Sequence, residues 1–333
     1  PLAVAVVVGG AGQLAIQVPS ALSRGWRPKL RIAPRDPRVQ EIARLMTPGV
    51  AGLAVTQVNV FVGTLLASFL AEGSVAALTY AFRLVQFPIG VIGVAIATGA
   101  LPLMAAFAAK NAMADMKEAL QSSLRLAFFI TVPAIVGLAL FRLPILHILF
   151  ERGAFTRPVT HLTADILMGY TVGLCFYVGN RILAPAFYAM HDTWTPVKTA
   201  MMAVGVNIAA SILLMSSIGA PGLALATAIA SASNFLLLFT ELRQRIGLLE
   251  GRRVLVAAAR VIVACVPMAA WGIASQTWWD VLAASHPMQK ALLLCAEIAV
   301  AVALFVASAA LLRCEELGWA WDLLRRRREG GGM

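Results

Sequence analysis

Charge is what this sequence has least of. Only 13% of its 333 residues are Asp, Glu, Lys or Arg, while 60% are hydrophobic. Apolar runs this long and regular exclude a soluble domain, and the chain reads as an all-α polytopic membrane protein. Acidic residues are scarcer than basic ones, 16 against 27, which leaves a formal net charge of +11. In a soluble chain that balance would suggest nucleic acid. Here the basic residues gather in loops and tails, where they act as topology signals, so no nucleic-acid partner is expected. Cysteine and histidine number four each. Cys175, Cys265 and Cys295 lie within apolar runs and Cys314 at a membrane edge, with no metal-ligand spacing and no evident disulfide partner. They read as small packing residues, and no metal is expected. There is no Ser/His/Asp triad, P-loop or HExxH pattern, so neither an enzyme nor a cofactor is expected.

What the sequence has instead is a series of long apolar segments, about nine if each crosses the bilayer once. They cover 1–22, 45–70, 73–104, 122–150, 161–189, 197–217, 222–240, 254–275 and 289–312. The loop 23–44 is basic, with Arg24, Arg27, Lys29, Arg31, Arg35, Arg38 and Arg44. Its end, PRVQEIARLM, has the pattern of an amphipathic helix on the membrane surface. Alternating the loops between the two sides puts most Lys and Arg on the side of loop 23–44, together with the C-terminal tail. The opposite side holds Arg142, Arg152, Arg157 and Lys290. This asymmetry places the C-terminus in the cytoplasm. The chain opens at Pro1 inside an apolar run and without an initiator Met, and the expectation is the C-terminal part of a longer protein.

One stretch stands out, GSVAALTYAFRLVQFPIGVIGVAIATGALPLM from Gly73 to Met104. Its single charge is Arg83, about 13 Å inside a helix that starts at Ser74. A charge at that depth in lipid costs from about 3 to above 10 kcal/mol, so it faces a cavity or a partner, or it snorkels to the interface. Helical spacing puts Arg83, Gln86, Gly90, Gly93 and Ala97 on one face. Pro88 frees a carbonyl and bends the helix. A cation and an amide on a glycine-lined face suit an anionic substrate in a central cavity. The preceding span contributes Thr56, Gln57, Asn59 and Thr64 as polar interior points. In MHDTWTPVK, Asp192 and Pro196 read as a helix cap and restart.

Five collinear stretches together carry a resemblance: GGAGQLAIQVPSAL at 9–22, ASFLAEGSVAALTYAFRLVQFPIGVIGVAIATGALP at 67–102, LFERGAFT at 149–156, ILAPAFYAMHDTWTPVK at 182–198 and GLALATAIA at 222–230. The chain resembles the MurJ (MviN) family of lipid II flippases, in the superfamily of multidrug, oligosaccharidyl-lipid and polysaccharide exporters. The resemblance covers residues 1 to about 245. It implies two six-helix lobes plus a final helix pair, in an inner membrane protein that moves an undecaprenyl-pyrophosphate-linked peptidoglycan precursor outward by alternating access. On that basis 1–22 is the last helix of a first lobe otherwise absent from this chain, and 23–44 a basic cytoplasmic loop with an amphipathic helix. Residues 45–245 are then the second six-helix lobe. Residues 246–333 are two extra helices, forming a groove for the lipid tail, and a basic cytoplasmic tail. Besides lipid II, the implied partners are membrane lipids and the first lobe.

The resemblance implies a cavity arginine at Arg83; Gln86 on its face, and Gln57 and Asn59 in the preceding span, are expected beside it as substrate contacts. Phe82 stands where the family usually has Asp, and Gln86 where some members have Glu. Some members bind sodium, and the matching positions here are Gly63, Asn207, Ser211 and Thr227, with both carboxylates absent. Uncharged oxygens hold a hard cation weakly, so Asn207, Ser211 and Thr227 are either a weak cation site or hydrogen-bonded bridges between helices. Two other functions stay open at this level. One is a drug or cation antiporter of the same superfamily, which would want a cavity carboxylate. The other is a non-transporting scaffold for cell-wall assembly, which would leave lipid II translocation intact when depleted.

Overall fold

A computed structural model describes residues 2–23, 36–247, 251–281 and 287–319. Arg24 to Arg35 of the basic loop and the arginine-rich tail beyond residue 319 lie outside the described residues. The described residues are helical throughout, without a strand. In order they form α1 (Leu2–Ser23), α2 (Pro37–Ser68), α3 (Ser74–Pro88), a π-helical segment (Ile89–Val94), α4 (Ala95–Ala109), α5 (Met113–Phe150), α6 (Arg157–Val172), α7 (Leu174–Ala189), α8 (Trp194–Ile218), α9 (Ala220–Ile246), α10 (Gly251–Val281) and α11 (Pro287–Leu311). The chain divides into two compact units, Pro1–Thr47 and Pro48–Met333. The PRVQEIARLM segment belongs to the same helix as the apolar run that follows it.

The chain is an all-helical multi-pass membrane protein. Seven described helices are long and apolar enough to cross a membrane, and α6 with α7, bent by 43°, makes an eighth as one broken span. The ninth expected segment forms α1, which stands outside that count. The helices keep apolar side chains on their outer faces, as at Phe87, Met202, Leu213 and Ile262, where lipid replaces water as the solvent.

Two apolar clusters hold the second unit together. The larger joins α3 to α7 with α9, through fully buried residues such as Ala81, Val85, Met104, Leu120, Leu167, Ile182, Phe187 and Leu242. The smaller packs α10 and α11 onto the outer side of α5, through Phe129, Phe141, Ala264, Met268, Ala301 and Phe305. Polar links fix the far ends of these helices. Arg125 on α5 donates from Nε to Glu316 Oε1 and from Nη2 to Glu315 Oε2, both at 2.8 Å. Its guanidinium also lies 5.0 Å from the ring centre of Trp319. Between α7 and α8, Asp192 Oδ1 accepts the backbone N–H groups of Trp194 and Thr195 at 3.0 Å each. Asp192 Oδ2 pairs with Arg245 of α9 at 2.6 Å. The expected cap is therefore also a tie between helices.

Burial alone would raise the Asp192 carboxyl, but its hydrogen bonds to Thr195 and Arg245 and the Arg245 charge hold it below the usual carboxylate range. A depressed folded-state value gives stability that is present above the unfolded pKa and is lost as pH falls through the folded one. Asp192→Asn keeps a capping oxygen but removes the charge facing Arg245, and should cost about 1–2 kcal/mol, the scale of a charge-assisted hydrogen bond. It should also flatten the acid limb of a melting-temperature profile in detergent. An unchanged melt and an unchanged acid limb would show that the tie contributes nothing.

The α6–α7 bend falls at Gly173, where α9 passes so close that a Cβ would lie 2.7 Å from the Ala228 Cβ and 2.8 Å from its Cα. Gly205 on α8 has open space around it. Gly173→Ala should destabilise by about 1–3 kcal/mol through overpacking. Gly205→Ala should be neutral or slightly stabilising, because alanine is the better helix former. Thermal unfolding of the two variants side by side reads the difference.

Candidate functional site

The site begins with a turn. Gly73 takes φ 89°, a left-handed conformation that glycine adopts without a Cβ clash, and closes the AEGS turn so that α3 starts at Ser74. From there the helix presents two faces. Ala77, Ala81, Val85 and Pro88 are buried against the core. Val75, Thr79, Phe82, Arg83 and Gln86 turn into a cavity of about 350 Å³.

Pro88 ends the regular part of this face. It has no N–H to give the carbonyl one turn back, and the next turns, Ile89–Val94, are π-helical. Wider i to i+5 turns offset the side-chain register. The single face expected to run from Arg83 through Gly93 is therefore interrupted. Arg83 and Gln86 line the cavity, whereas Gly93 is buried against α7, where a Cβ would meet the Arg181 side chain at 3.6 Å.

Four other helices complete the walls. α2 supplies Asn59, Gly63 and Thr64, α6 supplies Tyr170, α8 supplies Asn207 and Ser211, and α9 supplies Thr227. Arg83 thus shares one cavity with all but one of the residues assigned from the sequence to substrate or cation contact. The exception is Gln57, which is exposed and does not line it. Two residues along a helix is about 200° of rotation, so Gln57 and Asn59 cannot share a face. Thr56 is also outside, with its hydroxyl donated to the Gly52 carbonyl at 3.1 Å.

The cavity has one cation and no carboxylate among its described lining residues. No described residue forms an ion pair with Arg83, which is exposed to the cavity. Asn59 Oδ1 is buried without a hydrogen-bond partner among the described residues. On the opposite wall the polar groups satisfy one another. Asn207 Nδ2 donates to Thr227 Oγ1 at 3.3 Å, Ser211 Oγ donates to Asn207 Oδ1 at 3.4 Å, and Thr227 Oγ1 donates to the Leu223 carbonyl at 2.9 Å. Of these, the Asn207–Thr227 bond joins α8 to α9, while the other two lie within one helix each. Among the described residues, no group of three or more His, Cys, Asp or Glu is placed to hold a metal.

The sequence reading did not single out Tyr170. Its ring lies 5.3 Å from that of Phe82, and the pair forms the aromatic wall beside Arg83. The signal was present in Phe82 itself, an aromatic residue at a position where a carboxylate would otherwise stand next to the arginine.

Comparison with known proteins bears on this arrangement. A family model described as "Lipid II flippase MurJ" matches residues 1–291. A probable lipid II flippase MurJ from Haemophilus influenzae is 33% identical over 276 residues, covering 81% of this chain and 54% of the relative. One from Rhizobium meliloti is 33% identical over 306 residues, covering 91% of this chain and 57% of the relative. The chain thus spans about half the length of the curated relatives it matches. Among solved structures, a lipid II flippase MurJ in an inward closed conformation superposes with a TM-score of 0.65 at 23% identity, over 86% of this chain and 56% of that one. A MATE transporter in a bent conformation gives 0.50 at 16% identity, which speaks to fold alone. With the family model matching most of its length, the chain belongs to the MurJ lipid II flippase family, a family of membrane transporters.

Proposed function

We propose that the protein carries lipid II across the bacterial inner membrane by alternating access, and that Arg83 contacts the pyrophosphate of the substrate. One observation supports this above the others: Arg83 and Gln86 face a cavity whose described lining contains no carboxylate. A cationic drug would find a like charge and no described carboxylate there, while a pyrophosphate finds a guanidinium whose planar fork can take two oxygens at once. Asn59, with an unpartnered oxygen, is the polar group to receive a sugar or peptide N–H or O–H. Gln57, exposed outside the cavity, is assigned no substrate contact. The α10–α11 pair, apolar on its outer face at Ile262, Val266, Ile273 and Leu292, suits the polyprenyl tail. The basic side of the membrane, and with it the C-terminus, is cytoplasmic by the positive-inside rule. The first lobe of the parent protein supplies the other half of the cavity.

Arg83→Ala in the full-length parent should fail to complement a flippase-depleted strain, and Arg83→Lys should retain little, since lysine keeps the charge but loses the fork. Gln86→Ala should weaken complementation less, because it removes an amide and no charge. Membrane levels checked by blot separate function from folding. Growth like wild type from a normally accumulated Arg83→Ala protein would overturn the assignment.

In this reading Asn207 and Thr227 bridge α8 and α9, and together with Ser211 they are no sodium site, because they offer a hard cation only uncharged oxygens. Turnover of the parent in vesicles clamped at constant potential should therefore be the same in sodium and in potassium. A steep, saturable sodium dependence would restore the cation reading.

A further inference from the structure

A second cavity, of about 430 Å³, lies away from the first, where the ends of α5, α6, α10 and α11 meet. Its charged and titratable lining is Arg142 and His147 from α5, Glu151 from the α5–α6 turn, Arg157 and His161 from α6, and Lys290 from the first turn of α11. Three permanent cations thus face a single carboxylate. The side of the membrane to which the loops assign these residues is otherwise poor in positive charge. Of its four Lys and Arg residues, Arg142, Arg157 and Lys290 all line this one cavity. On that side positive residues are not orientation signals, so their convergence on one cavity is not a matter of topology.

The single carboxylate is already engaged. Glu151 Oε2 accepts the Thr160 hydroxyl at 2.7 Å and lies 3.0 Å from His147 Nδ1. Lys290 Nζ stands 3.4 Å from His147 Nε2. An ammonium can only donate, so this geometry makes His147 Nε2 the acceptor and Nδ1 the proton-bearing nitrogen. The relay from Lys290 through His147 to Glu151 positions the histidine and leaves an excess of positive charge in the cavity. Arg142 directs Nη1 to the Ala139 carbonyl, while its Nε is buried without a hydrogen-bond partner among the described residues. That is a buried donor on a cation, in a cavity with room for a ligand.

We propose that this cavity binds a phosphate-bearing anion at the membrane edge, with Arg142, Arg157 and Lys290 as the recognising cations. The chemistry fits a phospholipid headgroup or a free pyrophosphate equally, since both present clustered anionic oxygens to guanidinium and ammonium donors. Arg157 and His161, exposed at the cavity mouth, meet an incoming headgroup first. The site stands independently of the role given to Arg83.

Isothermal titration calorimetry on the purified chain tests this, in an Arg83→Gln background so that the central cavity does not contribute. The titrants are short-chain phosphatidylglycerol, the corresponding phosphatidylcholine, and inorganic pyrophosphate. Phosphatidylglycerol should bind and phosphatidylcholine should not. Binding of pyrophosphate as well would identify the phosphate group as sufficient, and its failure would assign the site to a lipid headgroup. Arg157→Gln with Lys290→Gln should weaken anion binding about tenfold, the scale of a lost charge-assisted contact. Lys110→Gln with Arg243→Gln, away from the cavity, should leave it unchanged. Glu151→Gln removes the competing negative charge and should tighten anion binding by about threefold, a direction that a misfolded variant cannot produce. Absence of binding by both anions, equal binding in the cavity and control variants, or weakening by Glu151→Gln would each overturn the proposal.

Discussion

A guanidinium cannot rest in hydrocarbon without polar company, and the central cavity is the way this fold meets that constraint at Arg83. Every wall of the cavity contributes something toward it. α2 brings an amide and a hydroxyl, α3 brings Gln86 one turn on, and α8 and α9 bring a hydrogen-bonded amide and hydroxyl pair. The apolar core lies on the other side of α3, where alanines let neighbouring helices come close. One helix therefore carries both buried packing residues and the cation of the cavity. The aromatic pair Phe82 and Tyr170 stands beside Arg83, and no carboxylate is among the described lining residues.

Much of this was legible in the sequence, because a lone charge in a long apolar run is conspicuous and helical periodicity assigns its neighbours. Arg83, Gln86, Asn59, Asn207, Ser211 and Thr227 needed only the placement of whole helices to come together. The rest depended on finer geometry. Gln57 and Asn59 look equivalent as polar points in one span, yet about 200° separates them around the axis. Pro88 announced a break in the ladder, but the side-chain pattern does not encode whether a helix answers with a kink or with wider turns, so the displacement of Gly93 onto α7 was out of reach. The basic cavity at the ends of α5, α6, α10 and α11 draws on residues from 142 to 290. Each of those residues reads alone as an ordinary loop charge, and only tertiary packing shows that they converge.

The lobe also divides its polar interactions by location. Inside the spans, hydroxyls mostly return to their own helix, as Thr64 does to the Val60 carbonyl and Thr171 to the Leu167 carbonyl. Such bonds satisfy the side chain within the segment, as a lipid-facing or core environment demands. Charged links appear at helix ends, in the Asp192–Arg245 pair and in the Arg125 group. There the cost of desolvation is smaller and the geometry fixes how one helix enters beside the next.

The Arg125 group has a mechanical meaning. Glu316 is only 2% exposed and pairs with Arg125, while the neighbouring Glu315 takes the other arm of the same guanidinium. Sliding the end of α11 along α5 by one turn, about 5.4 Å, would strand a buried carboxylate at a cost of about 3–5 kcal/mol. The seam between α5 and α11 therefore behaves as a strut. Bending in this lobe is left to the places where the helical ladder is already irregular, the π-helical turns after Pro88 and the 43° break at Gly173.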